Sequence, residues 1–174
     1  MKAIGARTLL ATATVALLTA STAMAAHRQE VRWRAFVGNI RTGAAGAVGS
    51  GTGAVDAAGA PWVATGGNAH VDLSSGNLRF NIRGLVLVDT NAVGTPGPVS
   101  QVVGTLVCDT DGSAGGGNSV LVSTPEVPLS EQGEAEFNGN LGSLPAACVT
   151  EPDIAFLVRS VTGVYFAAAI VREP

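Results

Sequence analysis

The chain has 174 residues, with 10 Lys and Arg against 13 Asp and Glu and a net charge of −3. It therefore lacks the basic face that a nucleic acid or an anionic membrane surface requires of its partner. Its 23 glycines follow neither a collagen-like period nor a solenoid repeat, which excludes a fibrous chain.

Residues 1–25 read as a secretory signal peptide. Lys2 and Arg7 give a basic start, an apolar stretch runs from Leu9 to Ala23, and Ala23-Met24-Ala25 supplies a small-x-small site. Cleavage is expected after Ala25. The apolar run is shorter than the ~20 residues that span a bilayer, so a retained anchor helix is the lesser reading. Residues 26–174 then form one secreted domain, extracellular or periplasmic, without a membrane span. Two of the ten basic residues leave with the signal, so eight face thirteen acids and the mature charge is −5. No Lys or Arg lies between Gly84 and Val158, a stretch whose acidic residues read as solvated surface. Cys108 and Cys148 form an even pair in an oxidising compartment, which points to one disulfide. A metal pair or a reactive thiol has less support, because the spacing is not C-x-x-C.

In chain order, the first strand candidate is 31–40. The stretch 44–60, almost all Gly, Ala, Ser, Thr and Val, follows as an edge strand or loop, with 53–56 its most strand-like part. The strongest local signal comes next. Leu78, Phe80 and Ile82 alternate with Arg79, Asn81 and Arg83, which describes a strand with one face buried. Ala69-His70-Val71-Asp72-Leu73 alternates as well, and Ser74-Ser75-Gly76-Asn77 between the two is turn chemistry, so 69–83 is a β-hairpin. Further candidates are 84–88, 101–109, 119–123, 134–141, 154–160 and 164–172, separated by Gly-, Pro-, Asn- and Asp-rich segments. Short strands at this spacing predict an all-β fold, a single antiparallel β-sandwich of about eight strands, jelly-roll or Ig-like.

Three groups of residues suggest chemistry. Asp109-Thr110-Asp111-Gly112-Ser113, with Asn118 beyond it, has the alternating acidic oxygens and the glycine that can wrap Ca²⁺. The pattern lacks a third oxygen ligand before the glycine and the later bidentate Glu, so Asp109 and Asp111 read first as turn residues and only weakly as a metal site. His70 shares a strand face with Asn68 and Asp72 and is the histidine inside the expected fold, His27 lying near its start. No G-x-S-x-G elbow accompanies it; Gly49-Ser50-Gly51-Thr52-Gly53 is the nearest string. Glu131, Glu134 and Glu136 could furnish a carboxylate pair for glycoside hydrolysis, but Glu134 and Glu136 alternate with Ala135 and Phe137 as exposed strand positions do.

Thr52-Gly53 before a strand, Leu73-Ser74-Ser75-Gly76-Asn77-Leu78 leading to Arg83-Gly84-Leu85, and Val164-Tyr165-Phe166 before Arg172 resemble the chordin-repeat (CHRD) domain of secreted bacterial proteins. The likeness spans most of 51–172. The His-containing motif that this family carries after the Gly-Leu step has no counterpart, since the region here reads Pro98-Val99-Ser100-Gln101-Val102-Val103. Val103 to Asp109, Pro128-Leu129-Ser130 and Glu151 to Phe156 resemble secreted bacterial β-sandwich proteins without an assigned activity. The resemblance implies a secreted sandwich and transfers no functional residue.

The expectation is a secreted, non-catalytic β-sandwich module, structural or ligand-binding, with an extracellular protein or glycan as partner. It has no catalytic residue and no cofactor beyond the weak Ca²⁺ candidate. The alternatives are a secreted hydrolase using His70 with acidic residues, and a surface or matrix subunit that assembles through strand edges.

Overall fold

The computed structural model describes residues 30–40, 42–114, 116–150, 153–170 and 172–173. The signal peptide, its cleavage after Ala25, His27 and Glu151 lie outside the described residues.

In chain order the strands are β1 (Glu30–Trp33), β2 (Phe36–Gly38), β3 (Gly43–Val48), β4 (Val55–Ala57), β5 (Trp62–Val63), β6 (Gly66–Asp72), β7 (Asn77–Arg83) and β8 (Val86–Leu87). They continue as β9 (Gln101–Cys108), β10 (Val120–Ser123), β11 (Val127–Pro128), β12 (Ala135–Asn140), β13 (Ile154–Arg159), β14 (Tyr165–Ala169) and β15 (Arg172–Glu173). A short helix, α1 (Ala146–Thr150), precedes β13. The chain is mostly β. One sheet has the order β12-β7-β6-β1-β15; a second, of eight strands, runs β10-β9-β13-β14-β4-β3 with β11 beside β9 and β2 beside β14; β5 and β8 pair separately.

The hairpin of β6 and β7 forms in the expected register, with Ala69 opposite Phe80 and Asp72 opposite Asn77. Its turn needs Gly76: φ is +73°, and a Cβ there would lie 2.0 Å from the Gly142 carbonyl oxygen.

Several expectations are corrected. The strands are shorter and more numerous than eight, because the chain changes sheet within segments that read as single strands. The candidate 31–40 divides into β1 and β2, so Trp33 pairs with β6 while Phe36 pairs with β14. The buried phase shifts across Arg34-Ala35, from Val31 and Trp33 to Phe36 and Gly38, and the apolar run Ala35-Phe36-Val37 hides the corner. Pairing is not wholly antiparallel either, since Ala57 of β4 lies parallel to Tyr165 of β14, a geometry open to strands joined by a long crossover. The stretch 44–60 supplies β3 and β4, and α1 falls in a region that was expected to be loop.

One apolar cluster takes side chains from both large sheets, including Trp33, Phe80 and Ile82 from the first and Leu106, Phe156 and Phe166 from the second. The Phe80 and Phe156 rings lie 5.4 Å apart. Gly104 lets them approach β9: a Cβ there would meet Phe80 Cε1 at 2.6 Å and Phe156 Cζ at 2.8 Å. A second cluster of Val55, Ala57, Val107, Leu157 and Tyr165 lies on the opposite face of the eight-stranded sheet. Val55 and Ala57 come from β4 and meet Val107 of β9, so this sheet curls back over its own outer face.

Candidate functional site

The acidic motif follows β9, whose last residue, Cys108, is disulfide-bonded to Cys148 of α1 across a sequence separation of 40. Asp109 is 1% exposed and takes φ +56°, a left-handed conformation that Asp tolerates better than most residues. Both its carboxylate oxygens accept from the Ala114 amide at 3.2 Å. The fold brings Asp153 to this loop, so that ligand oxygens of Asp109, Asp111 and Asp153 lie within 4.8 Å of one another. These are the residues that would hold a hard divalent cation.

The same carboxylates close the loop. Asp111 accepts from the Ser113 amide at 2.9 Å, and its hydrogen bonds with Ser113 hold its carboxyl below the ordinary range. Asp153 accepts from Thr110 Oγ1 and the Asp111 amide, both at 3.1 Å. Asn118 does not join them; its side-chain oxygen accepts from the Thr52 amide at 2.7 Å. The sequence motif missed Asp153 because that residue arrives from the start of β13, 42 positions after Asp111.

His70 lies on β6 in register between Arg32 of β1 and Arg79 of β7. Its Nε2 is 3.4 Å from Glu30 Oε2, an ion-pair distance too long for a good hydrogen bond. Arg32 donates to that same oxygen at 2.7 Å. The Arg32 bond, and after it His70, hold the Glu30 carboxyl below its ordinary range. His70 thus meets an acid that sequence reasoning did not name. Glu136 instead stands opposite Asn81, while the exposed Glu131 and Glu134 belong to the turn where the Ser130 amide donates to the Glu134 carbonyl.

The outer face of the five-stranded sheet is a ladder of polar rows. Glu30, Asp72, Asn77 and Asn140 make one row; Arg32, His70, Arg79 and Asn138 the next; Asn68, Asn81 and Glu136 a third. The first row is satisfied from within the chain. Asp72 accepts from the Ser74 hydroxyl at 2.6 Å, and Asn140 Nδ2 donates to Asn77 Oδ1 and to the Ser75 carbonyl, both at 2.8 Å. Bonds with Ser74, then Ser75, pull the Asp72 carboxyl down to about 2.

The third row is different. Asn81 Oδ1 is screened from solvent and has no hydrogen-bond partner, as is true of His70 Nε2 in the second row. A groove of about 380 Å³ runs past Asn68, Arg79 and Asn138 to Asn81 and Glu136. A second, of about 890 Å³, continues from Asn81 and Glu136 to Arg83, Ser130 and Glu134. The alternation of 77–83 places Arg79, Asn81 and Arg83 on one face. No local signal says that Glu136 and Asn138 lie beside them. Compared with protein-family models, curated proteins and solved structures, the chain has no match.

Proposed function

We propose that the chain is a secreted, non-catalytic β-sandwich module that works by binding, with the outer face of its five-stranded sheet as the ligand face. One contrast carries this reading. The carboxylates nearest to one another are engaged in holding the fold: Asp72 its hairpin, Asp109 and Asp153 their loop, and Glu30 the Arg32 side chain, with His70 at ion-pair distance. Asn81, whose screened Oδ1 has no partner, instead lines a groove of amides and charges of both signs. The disulfide fits an oxidising compartment, and no helix among the described residues is long and apolar enough to cross a membrane.

The test is a panel of ester, peptide and glycoside substrates with protein purified after export. No turnover above buffer is expected. Turnover that His70→Ala abolishes at unchanged thermal stability would establish the hydrolase reading instead.

The self-assembling reading draws on one observation. β10, the terminal strand beyond β9, has no charged residue from Gly112 to Pro125 and leaves Leu121 37% exposed, whereas edge strands usually carry charges that block pairing with another chain. Sedimentation velocity decides it: a concentration-dependent oligomer that Leu121→Lys returns to monomer favours assembly.

A further inference from the structure

We infer that the groove over β7 and β12 takes an extended, neutral oligosaccharide; this deepens the binding reading above and rests on it. Asn81 and Glu136, a cross-strand pair, line both the 380 Å³ and the 890 Å³ grooves, so the two adjoin there. A channel of that form suits a chain-like ligand better than a compact one.

The charges specify neutrality. Arg79 and Arg83 face Glu134 and Glu136 along the channel, two cations against two anions, so neither a polyanion nor a polycation gains from the field. The remaining polar groups, Asn68, Asn81 and Asn138, each offer a donor and an acceptor. Hydroxyl groups, which also donate and accept, match that mixture. Asn81 turns about a soft final torsion, so its oxygen, without a donor at present, can swing into the channel to meet one.

The channel also has an apolar wall. Pro128 is exposed between the buried Val127 and Leu129, and all three line it beside Ser130. That wall suits the C–H face of a sugar ring. The floor of the channel is strand surface on which Asn81 is paired with Glu136, and Arg79 with Asn138. β12 is the terminal strand of its sheet, so its outer edge is open to a peptide strand as well; the peptide arm of the experiment separates that occupant from a sugar.

The experiment titrates protein purified after export with cellohexaose, xylohexaose, maltohexaose and chitohexaose, using calorimetry and side-chain amide NMR. A heparin fragment and an extended Ser/Ala peptide are included for comparison. At least one neutral hexaose is expected to bind, shifting the amides of Asn68, Asn81 and Asn138. Asn81→Ala should weaken it about tenfold or more, equivalent to about 1.4 kcal/mol, and Glu131→Gln, in a turn outside the channel, should leave affinity unchanged. Circular dichroism melts of both variants verify the fold. Shifts at these amides with heparin or peptide alone would overturn the ligand class and leave the binding reading standing. No shift with any ligand overturns the inference itself. Cleavage of a bound hexaose would uphold the ligand class and overturn the non-catalytic reading.

Discussion

The two large sheets turn opposite kinds of outer face to the world. The five-stranded sheet shows solvent a polar ladder, and β7 alternates accordingly: Leu78, Phe80 and Ile82 are buried while Asn77, Arg79 and Arg83 are exposed. The eight-stranded sheet folds its own β4 over its outer face, and β9 is buried at every position after Gln101. A strand covered on one side needs apolar residues at every second position, whereas one covered on both sides needs them throughout. The run Val102 to Cys108, apolar but for Gly104 and Thr105, is of the second kind. What covers each side of it is set by the fold.

The sharpest way to break this comparison is to mutate adjacent residues. On β13, Phe156 points into the main cluster and Leu157 into the second. Phe156→Ala should cost about 3–5 kcal/mol and Leu157→Ala about 2–5 kcal/mol in urea denaturation. On β7 the neighbours should differ: Phe80→Ala about 3–5 kcal/mol, and Asn81→Ala within about 0.5 kcal/mol of wild type. A Leu157→Ala cost no larger than that of Asn81→Ala would show that the curled strands do not cover the sheet.

Next in size is the disulfide, which ties the doubly covered β9 to α1. Replacing both cysteines with serine should lower stability by about 2–4 kcal/mol on the chain-entropy argument for a loop of this length. The side-chain amide spectra of Asn68 and Asn81, on the other sheet, should stay in place. Loss of those signals under native conditions would mean that the two outer faces are not independent.

The smallest effect belongs to the satisfied row of the polar face. The Asp72 carboxyl is lowered from 3.8 to about 2, first by the Ser74 hydroxyl and then by Ser75. A folded-state value below the unfolded one stabilises the native chain above pH 3.8 and is lost as pH falls toward about 2. The stability gap between wild type and Asp72→Asn should thus be widest at neutral pH and narrow across that acid window. A gap that stays constant down to pH 2 would place the contribution elsewhere.

How much could be read beforehand differs from one residue to the next. The hairpin of β6 and β7 was legible because its turn and both alternations are local. The pairing of Cys108 with Cys148 followed from parity and compartment. The division of 31–40 was not legible, because Ala35, Phe36 and Val37 are all apolar and mask the point where the buried phase shifts from Trp33 to Phe36. Asp109 and Asp111 were visible as a motif, but Asp153 was not, since it joins them only through the pairing of β13 with β9. His70 was singled out correctly as a strand residue, yet its neighbour Glu30 depends on β1 lying beside β6.

The sequence by itself determined the all-β character, the hairpin, and the face on which Arg79, Asn81 and Arg83 lie. These follow from backbone geometry and from the side-chain alternation of an extended chain, which act within a few residues. Only the tertiary structure decided that β12 lies beside β7, that β4 doubles back over β9, and that Asn81 and Glu136 line both grooves. Those choices depend on contacts between segments far apart in the chain, where burial in the assembled fold, rather than local preference, selects the partner.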